Sequence, residues 1–106
     1  MNDRLHTELW TSWASLLRSY AAAHGLSAIQ HAVVEVSANE ITLRVGSRWL
    51  RFTEDAMQYG STQEINEVPE PFELNENGTV SINGRPDEEM DLAAERLARE
   101  MLHPPQ

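Results

Sequence analysis

The stretch Ile41-Thr-Leu-Arg-Val45-Gly46-Ser47-Arg48-Trp-Leu-Arg-Phe52 decides how this chain folds. Apolar residues fall at every second position on both sides of Gly46-Ser47, with Ile41, Leu43 and Val45 before it and Leu50 and Phe52 after it. A period of two marks a strand with one buried face. Glycine followed by serine suits a type II′ turn, whose first central residue needs a positive φ. A two-residue turn here pairs Val45 with Arg48, Leu43 with Leu50 and Ile41 with Phe52. Residues paired across strands share a face, so this register gathers the apolar side chains on one side of the sheet. Thr42, Arg44, Trp49 and Arg51 fall on the other.

The pattern extends in both directions. Upstream, Ala32, Val34 and Val36 alternate with Val33 and Glu35, and a Ser37–Glu40 connection pairs Val36 with Ile41. Downstream, a turn at Glu54-Asp55 pairs Phe52 with Met57 and Leu50 with Tyr59. Three connections agreeing on one buried face predict an antiparallel β-meander over 32–59. Residues 53–60 also fit a single capped helical turn, and both readings stand at this point. Residues 61–71 are acidic, contain Pro69 and Pro71 and lack periodicity, so they read as a crossover loop. A second hairpin follows. A two-residue Asn77-Gly78 turn would set Leu74 against Ser81 and scatter the apolar residues over both faces. A three-residue loop, Glu76-Asn77-Gly78, instead pairs Leu74 with Val80 and Phe72 with Ile82, with Gly78 in the left-handed bulge position.

Helical periodicity brackets the strands. From about Asp3 to His24, Leu5, Leu9, Trp13, Leu16 and Tyr20 form a stripe, widened by Trp10, Leu17 and Ala21. Asn2 or Asp3 suits the N-cap, Gly25 the left-handed C-cap, and Leu26 is placed to fold back on the last turn. A second helix is predicted from about Pro86 to Leu102, with Met90, Ala94, Leu97 and Met101 as its stripe and Ala93, Ala98 and Leu102 beside it. Pro86 suits its first turn, and Asp87, Glu88 and Glu89 suit the positive end of its dipole. Leu16 and Leu97 lie mid-stripe and are expected to be almost fully buried. The whole chain, 1–106, thus reads as a single α+β domain with both helices on the apolar face of the sheet and the other face open to water. This element order is similar in outline to that of the small acidic type III secretion chaperones, without the helix of their crossover. The resemblance is one of element order, not of motif, and implies a fold rather than a function.

Composition narrows the chemistry. A chain of 106 residues has room for one hydrophobic core. It has no cysteine, which excludes disulfides, thiol catalysis and thiolate metal sites. No apolar run approaches the roughly 20 residues that cross a bilayer. The N-terminus lacks the layout of a secretory signal, so a cytoplasmic location is expected. All eight cationic residues are arginine, against 17 acids, for a net charge of −9. Residues 1–53 carry a net +1 and residues 54–106 a net −10. So acidic a second half repels phosphate backbones and disfavours nucleic acid as a partner.

Motif searches leave little. Glu73-x-Asn75-x-Asn77-Gly78 echoes the start of a calcium loop, but position one is Glu and position twelve is Gly84, so a plain hairpin turn is the better reading. His6, His24, His31 and His103 form no pair at helical ligand spacing, and His103 suits a helix C-terminus. Glu88, Asp91 and Glu95 share a helix side without a histidine to complete a transition-metal site. Gly46-Ser47-Arg48 is no nucleophile elbow. No catalytic residue, metal ligand or cofactor is assigned.

One constellation remains. Arg44 lies opposite Trp49 and Thr42 opposite Arg51, with Arg48 at the same turn. Guanidinium groups beside an indole suit interaction hot spots and the recognition of carboxylate or phosphate. The same residues also read as cross-strand stacking and pairing with Glu35 and Glu40 that stabilise an exposed face. The leading expectation is a non-enzymatic protein-interaction module of adaptor, chaperone-like or inhibitor type, with a protein partner or self-association as a homodimer. The alternative is a small-ligand or anion-binding domain using Arg44, Arg48, Trp49 and Arg51. An enzyme of unrecognised class comes third.

Overall fold

A computed structural model describes residues 3–26, 31–61 and 69–103. Helix α1 (Asp3–Gly25) leads into seven strands: β1 (Ala32–Val36), β2 (Ile41–Val45), β3 (Arg48–Phe52), β4 (Ala56–Gly60), β5 (Glu70–Leu74), β6 (Thr79–Ile82) and the short β7 (Glu88–Glu89). Helix α2 (Met90–Leu102) closes the chain. The strands lie in sequence order in one antiparallel sheet that curls into a half-barrel, and the helices contact each other and the sheet.

The registers follow from the turns. Gly46 has a φ of 60°, and Leu43 faces Leu50 while Ile41 faces Phe52. Ser37 N–H donates to the Glu40 carbonyl at 2.8 Å, closing the β1–β2 turn with Val36 opposite Ile41. Thr53 N–H donates to the Ala56 carbonyl at 2.9 Å, which makes residues 56–60 a strand and excludes the helical turn. Leu74 faces Val80 and Phe72 faces Ile82 across the three-residue loop, with Gly78 at a φ of 83°.

Four expectations need correction. Residues 61–71 do not cross over: Met57 pairs with Glu70 and Ala56 with Pro71, so the meander and second hairpin are one sheet. Much of that connection, 62–68, lies outside the described residues. The second helix begins at Met90 rather than Pro86. Val80 and Thr79 pair with Glu88 and Glu89, and Met90 N–H donates to the Gly78 carbonyl at 3.1 Å, so the outer edge of β6 draws this segment into the sheet. Glu88 accordingly leaves the helix surface shared by Asp91 and Glu95 and bonds Arg96 at 2.6 Å.

At the end of α1, Gly25 stays in the helix without a positive φ, and Leu26 is 91% exposed rather than folded back. The terminal carbonyl of His24 lies 3.2 Å from His103 Nε2, so capping comes from the other helix. Asn2 lies outside the described residues.

The fourth correction is to the stripe of α1. Trp10, Trp13, Ala14, Leu17 and Ala21 are buried, while Leu9, Leu16 and Tyr20 are only partly so. Because α2 packs along α1, the buried arc turns toward the side of Trp10, Leu17 and Ala21 and leaves Leu16 at its margin. Leu97 is buried as expected, at 7% exposure. The core centres on three aromatic rings, with Trp13 edge-on to Phe52 at 5.4 Å and Phe52 4.9 Å from Phe72. The Trp13 Nε1–H has no hydrogen-bond partner there, whereas Trp10 Nε1–H donates to the Ser37 carbonyl at 3.0 Å and ties α1 to the β1–β2 turn.

Candidate functional site

The outer face of β1–β4 carries the arginine and tryptophan residues singled out in the sequence. Arg44 pairs with Trp49 and Thr42 with Arg51, as the Gly46-Ser47 register requires. The Arg51 guanidinium carbon stands 4.7 Å from the centre of the Trp49 ring, a cation–π stack on a partly buried indole. Arg51 Nε lies 3.1 Å from Glu40 Oε1 and donates at 3.5 Å to Thr42 Oγ1. Arg44 Nη1 lies 3.3 Å from Glu35 Oε1. Both pairs join neighbouring strands on one face, as cross-strand side-chain pairing favours.

Thr42 shows how closely this network packs. It lies on the outer face yet is only 4% exposed, with Glu40 and Arg51 both within hydrogen-bonding reach of its hydroxyl. The face is therefore an ordered lattice of paired charges around an indole, with each guanidinium already facing a carboxylate. An incoming anion would have to displace Glu35 or Glu40, whereas a protein surface can exchange ion pairs with all four charges at once.

Arg48 does not join this group. Its pairing with Val45 puts it on the opposite face, beside the core, and its Nη2 donates to the Met101 carbonyl at the end of α2. Strand parity explains the separation: Arg48 and Trp49 are adjacent and so point to opposite sides.

The tertiary structure also assembles two groups that sequence reading does not connect. His6 on α1 and Glu54 and Asp55 of the β3–β4 turn together line two open clefts, of about 600 and 490 Å³. One runs on along Phe72, Ser81 and Asn83, and the other along Trp10 and Asn39. Between the helices, Tyr20 donates to Asp91 Oδ1 at 2.5 Å, His24 Nε2 lies 3.3 Å from Glu95 Oε1, and Arg99 Nε lies 3.3 Å from the same oxygen. The Asp91 hydrogen bond, with burial and the nearby carboxylate charges adding to it, raises the Tyr20 pKa above its ordinary value. Of these contacts, only the Glu95–Arg99 pair is local to one helix, at the i,i+4 spacing. Among the described residues, no three His, Asp or Glu side chains gather in a way that could hold a metal ion, and no helix is long and apolar enough to cross a membrane.

No family model, curated protein or solved structure matches this chain, so the outline similarity to secretion chaperones gains no support and the function must be argued from the chain's own residues.

Proposed function

We propose that this protein is a non-enzymatic protein-interaction module of adaptor, chaperone-like or inhibitor type, working in the cytoplasm. Its contact surface is the outer face of β1–β4, centred on Trp49. The observation that carries this reading is the partly buried Trp49 indole, held under the Arg51 guanidinium at 4.7 Å on a sheet face bordered by Glu35, Glu40 and Arg44. Indole and guanidinium groups dominate interface hot spots because they bury large contact areas while keeping directional donors. Their local charges balance, two arginines against two glutamates, within a chain of net charge −9. That contrast favours a specific docking patch and disfavours indiscriminate binding to phosphate polymers.

The test is a double variant, Trp49→Ala with Arg51→Ser, compared with the wild type as bait in native cell extract and then in titration with the purified partner. Neither residue belongs to the core, so folding stability should change by no more than about 1 kcal/mol. Binding should weaken by about 2 kcal/mol or more, as hot-spot truncations do. Equal affinity for the same stoichiometric partner, with the variant folded, would remove the site.

A further inference from the structure

We infer that β1 is a self-pairing edge, through which two copies of the chain join antiparallel into one continuous sheet with Val34 on the two-fold axis. This does not rest on the outer-face reading. The two edges of the sheet differ sharply. β7 has two residues, both glutamate, and runs directly into α2. β1 has five residues, Ala-Val-Val-Glu-Val, with no proline, glycine or lysine to deter a neighbouring strand. Val33 and Val36 are 53% and 39% exposed, and the strand's one charge, Glu35, is turned back toward Arg44 at 3.3 Å.

The hydrogen-bond pattern selects the partner. Ser37 N–H donates to the Glu40 carbonyl across the turn. Alternation along an antiparallel ladder then turns the backbone groups of Glu35 and Val33 toward β2 and those of Ala32, Val34 and Val36 toward the outer edge, which pairs with no other strand among the described residues. These outward residues are spaced symmetrically about Val34. A second β1 laid antiparallel sets Val34 against Val34 and Ala32 against Val36, which satisfies all three N–H and all three C=O groups on each side. Shifting the register by two residues leaves outward groups unpaired or sets Glu35 against Glu35.

Charge agrees with this arrangement. In the Val34-centred register Glu35 of one copy falls opposite Val33 of the other, in the row where Val33 is already paired with Arg44. Each carboxylate thus approaches the second copy's guanidinium instead of its like. Because β7 offers no comparable edge, the pairing closes at two copies and does not propagate into a fibre.

Sedimentation or light scattering of the full chain tests this. The wild type should reach twice its 12.0 kDa mass with rising concentration. The N–H of Val34 points away from β2, so Val34→Pro removes no ladder bond within the chain and should leave a folded monomer. Val33→Glu should raise the dimer dissociation constant about tenfold by facing Glu35 of the other copy, while Val33→Lys should not. Register is read by cross-linking, which is unambiguous in a chain without cysteine. Val34→Cys places two Cα atoms about 5.5 Å apart and should oxidise to a disulfide dimer. Val36→Cys leaves its copies roughly 13 Å apart along the strands and should not. A wild type that stays at 12.0 kDa up to about 1 mM overturns the inference. So does a dimer that survives both Val33→Glu and Val34→Pro, or one that cross-links through Val36→Cys rather than Val34→Cys.

Discussion

Arg48, first residue of β3, donates its Nη2–H to the carbonyl of Met101 in the last turn of α2, a bond spanning 53 positions of sequence. It does two things at once. It satisfies one of the orphan carbonyls at a helix C-terminus and sets a cation at the negative end of the dipole. It also fastens the closing helix to the β2–β3 hairpin of the sheet. Arg48→Gln should therefore lower stability by about 1–2 kcal/mol, the range for a charge-assisted bond at a helix end, as read from the urea midpoint. Binding through the outer face should be unaffected, since Arg48 lies on the other side of the sheet. An unchanged midpoint would show that the contact contributes nothing in solution.

The buried arc of α1 makes a sharper claim than its apolar periodicity alone. Leu17 has no exposed surface, whereas Leu16 is only partly buried. Leu17→Ala should cost about 2–5 kcal/mol, the usual range for a leucine in a packed core. Leu16→Ala should cost less than about 2 kcal/mol, because the smaller burial leaves less to lose. Chemical denaturation of both variants decides it, and an equal or reversed order would mean that the helix is rotated from the position described.

Gly78 isolates a backbone effect. Its φ is 83°, and a Cβ added there would meet nothing within 4 Å. Gly78→Ala should thus cost about 1 kcal/mol from the left-handed conformation alone, with no steric part. Gly78→Asn should cost less, since asparagine tolerates that region. Equal losses for the two would argue against this turn geometry.

Stability at alkaline pH should depend on Tyr20. Its hydroxyl donates to Asp91, and this bond, followed by burial and the charges of Asp91 and Glu95, holds its pKa above the ordinary 10.0. A raised folded-state pKa favours the protonated phenol in the folded protein. The contribution is therefore complete below the unfolded pKa and is lost as pH rises through the folded one. The stability difference between the wild type and Tyr20→Phe should be flat from about pH 7 to 9 and should shrink above about pH 10. A difference that does not vary across that window would show that the Tyr20–Asp91 bond does not persist between the helices.

Four of the six strand registers were legible in the sequence, whereas the β4–β5 and β6–β7 pairings were not. Gly46-Ser47, Ser37–Glu40, Glu54-Asp55 and Glu76-Asn77-Gly78 each join segments whose apolar residues repeat every second position. Turn chemistry and pleat periodicity are local, so register needs no knowledge of the rest of the fold. The outer-face cluster was legible for the same reason: once Leu43 faces Leu50, Arg44 must face Trp49 and Thr42 must face Arg51. Its place at the turn groups Arg48 with that cluster in the sequence, although strand parity puts it on the opposite face, and its bond to Met101 depends on where α2 lies.

What the tertiary structure alone decided involves competition between distant partners. Residues 86–89 have the composition of a helix start, yet the unpaired edge of β6 offers Glu88 and Glu89 a ladder, and Met90 becomes the first helical residue. Leu16 and Leu17 are equally apolar neighbours on α1, and the packing of that helix against α2 and the sheet made Leu17 the buried one. His6, Glu54 and Asp55 line the same clefts because the start of α1 lies near the β3–β4 turn. Periodicity in one segment carries no information about which element will lie beside it. Burial, edge pairing and the meeting of side chains far apart in sequence depend on that neighbour, and the neighbour is set by packing of the whole chain.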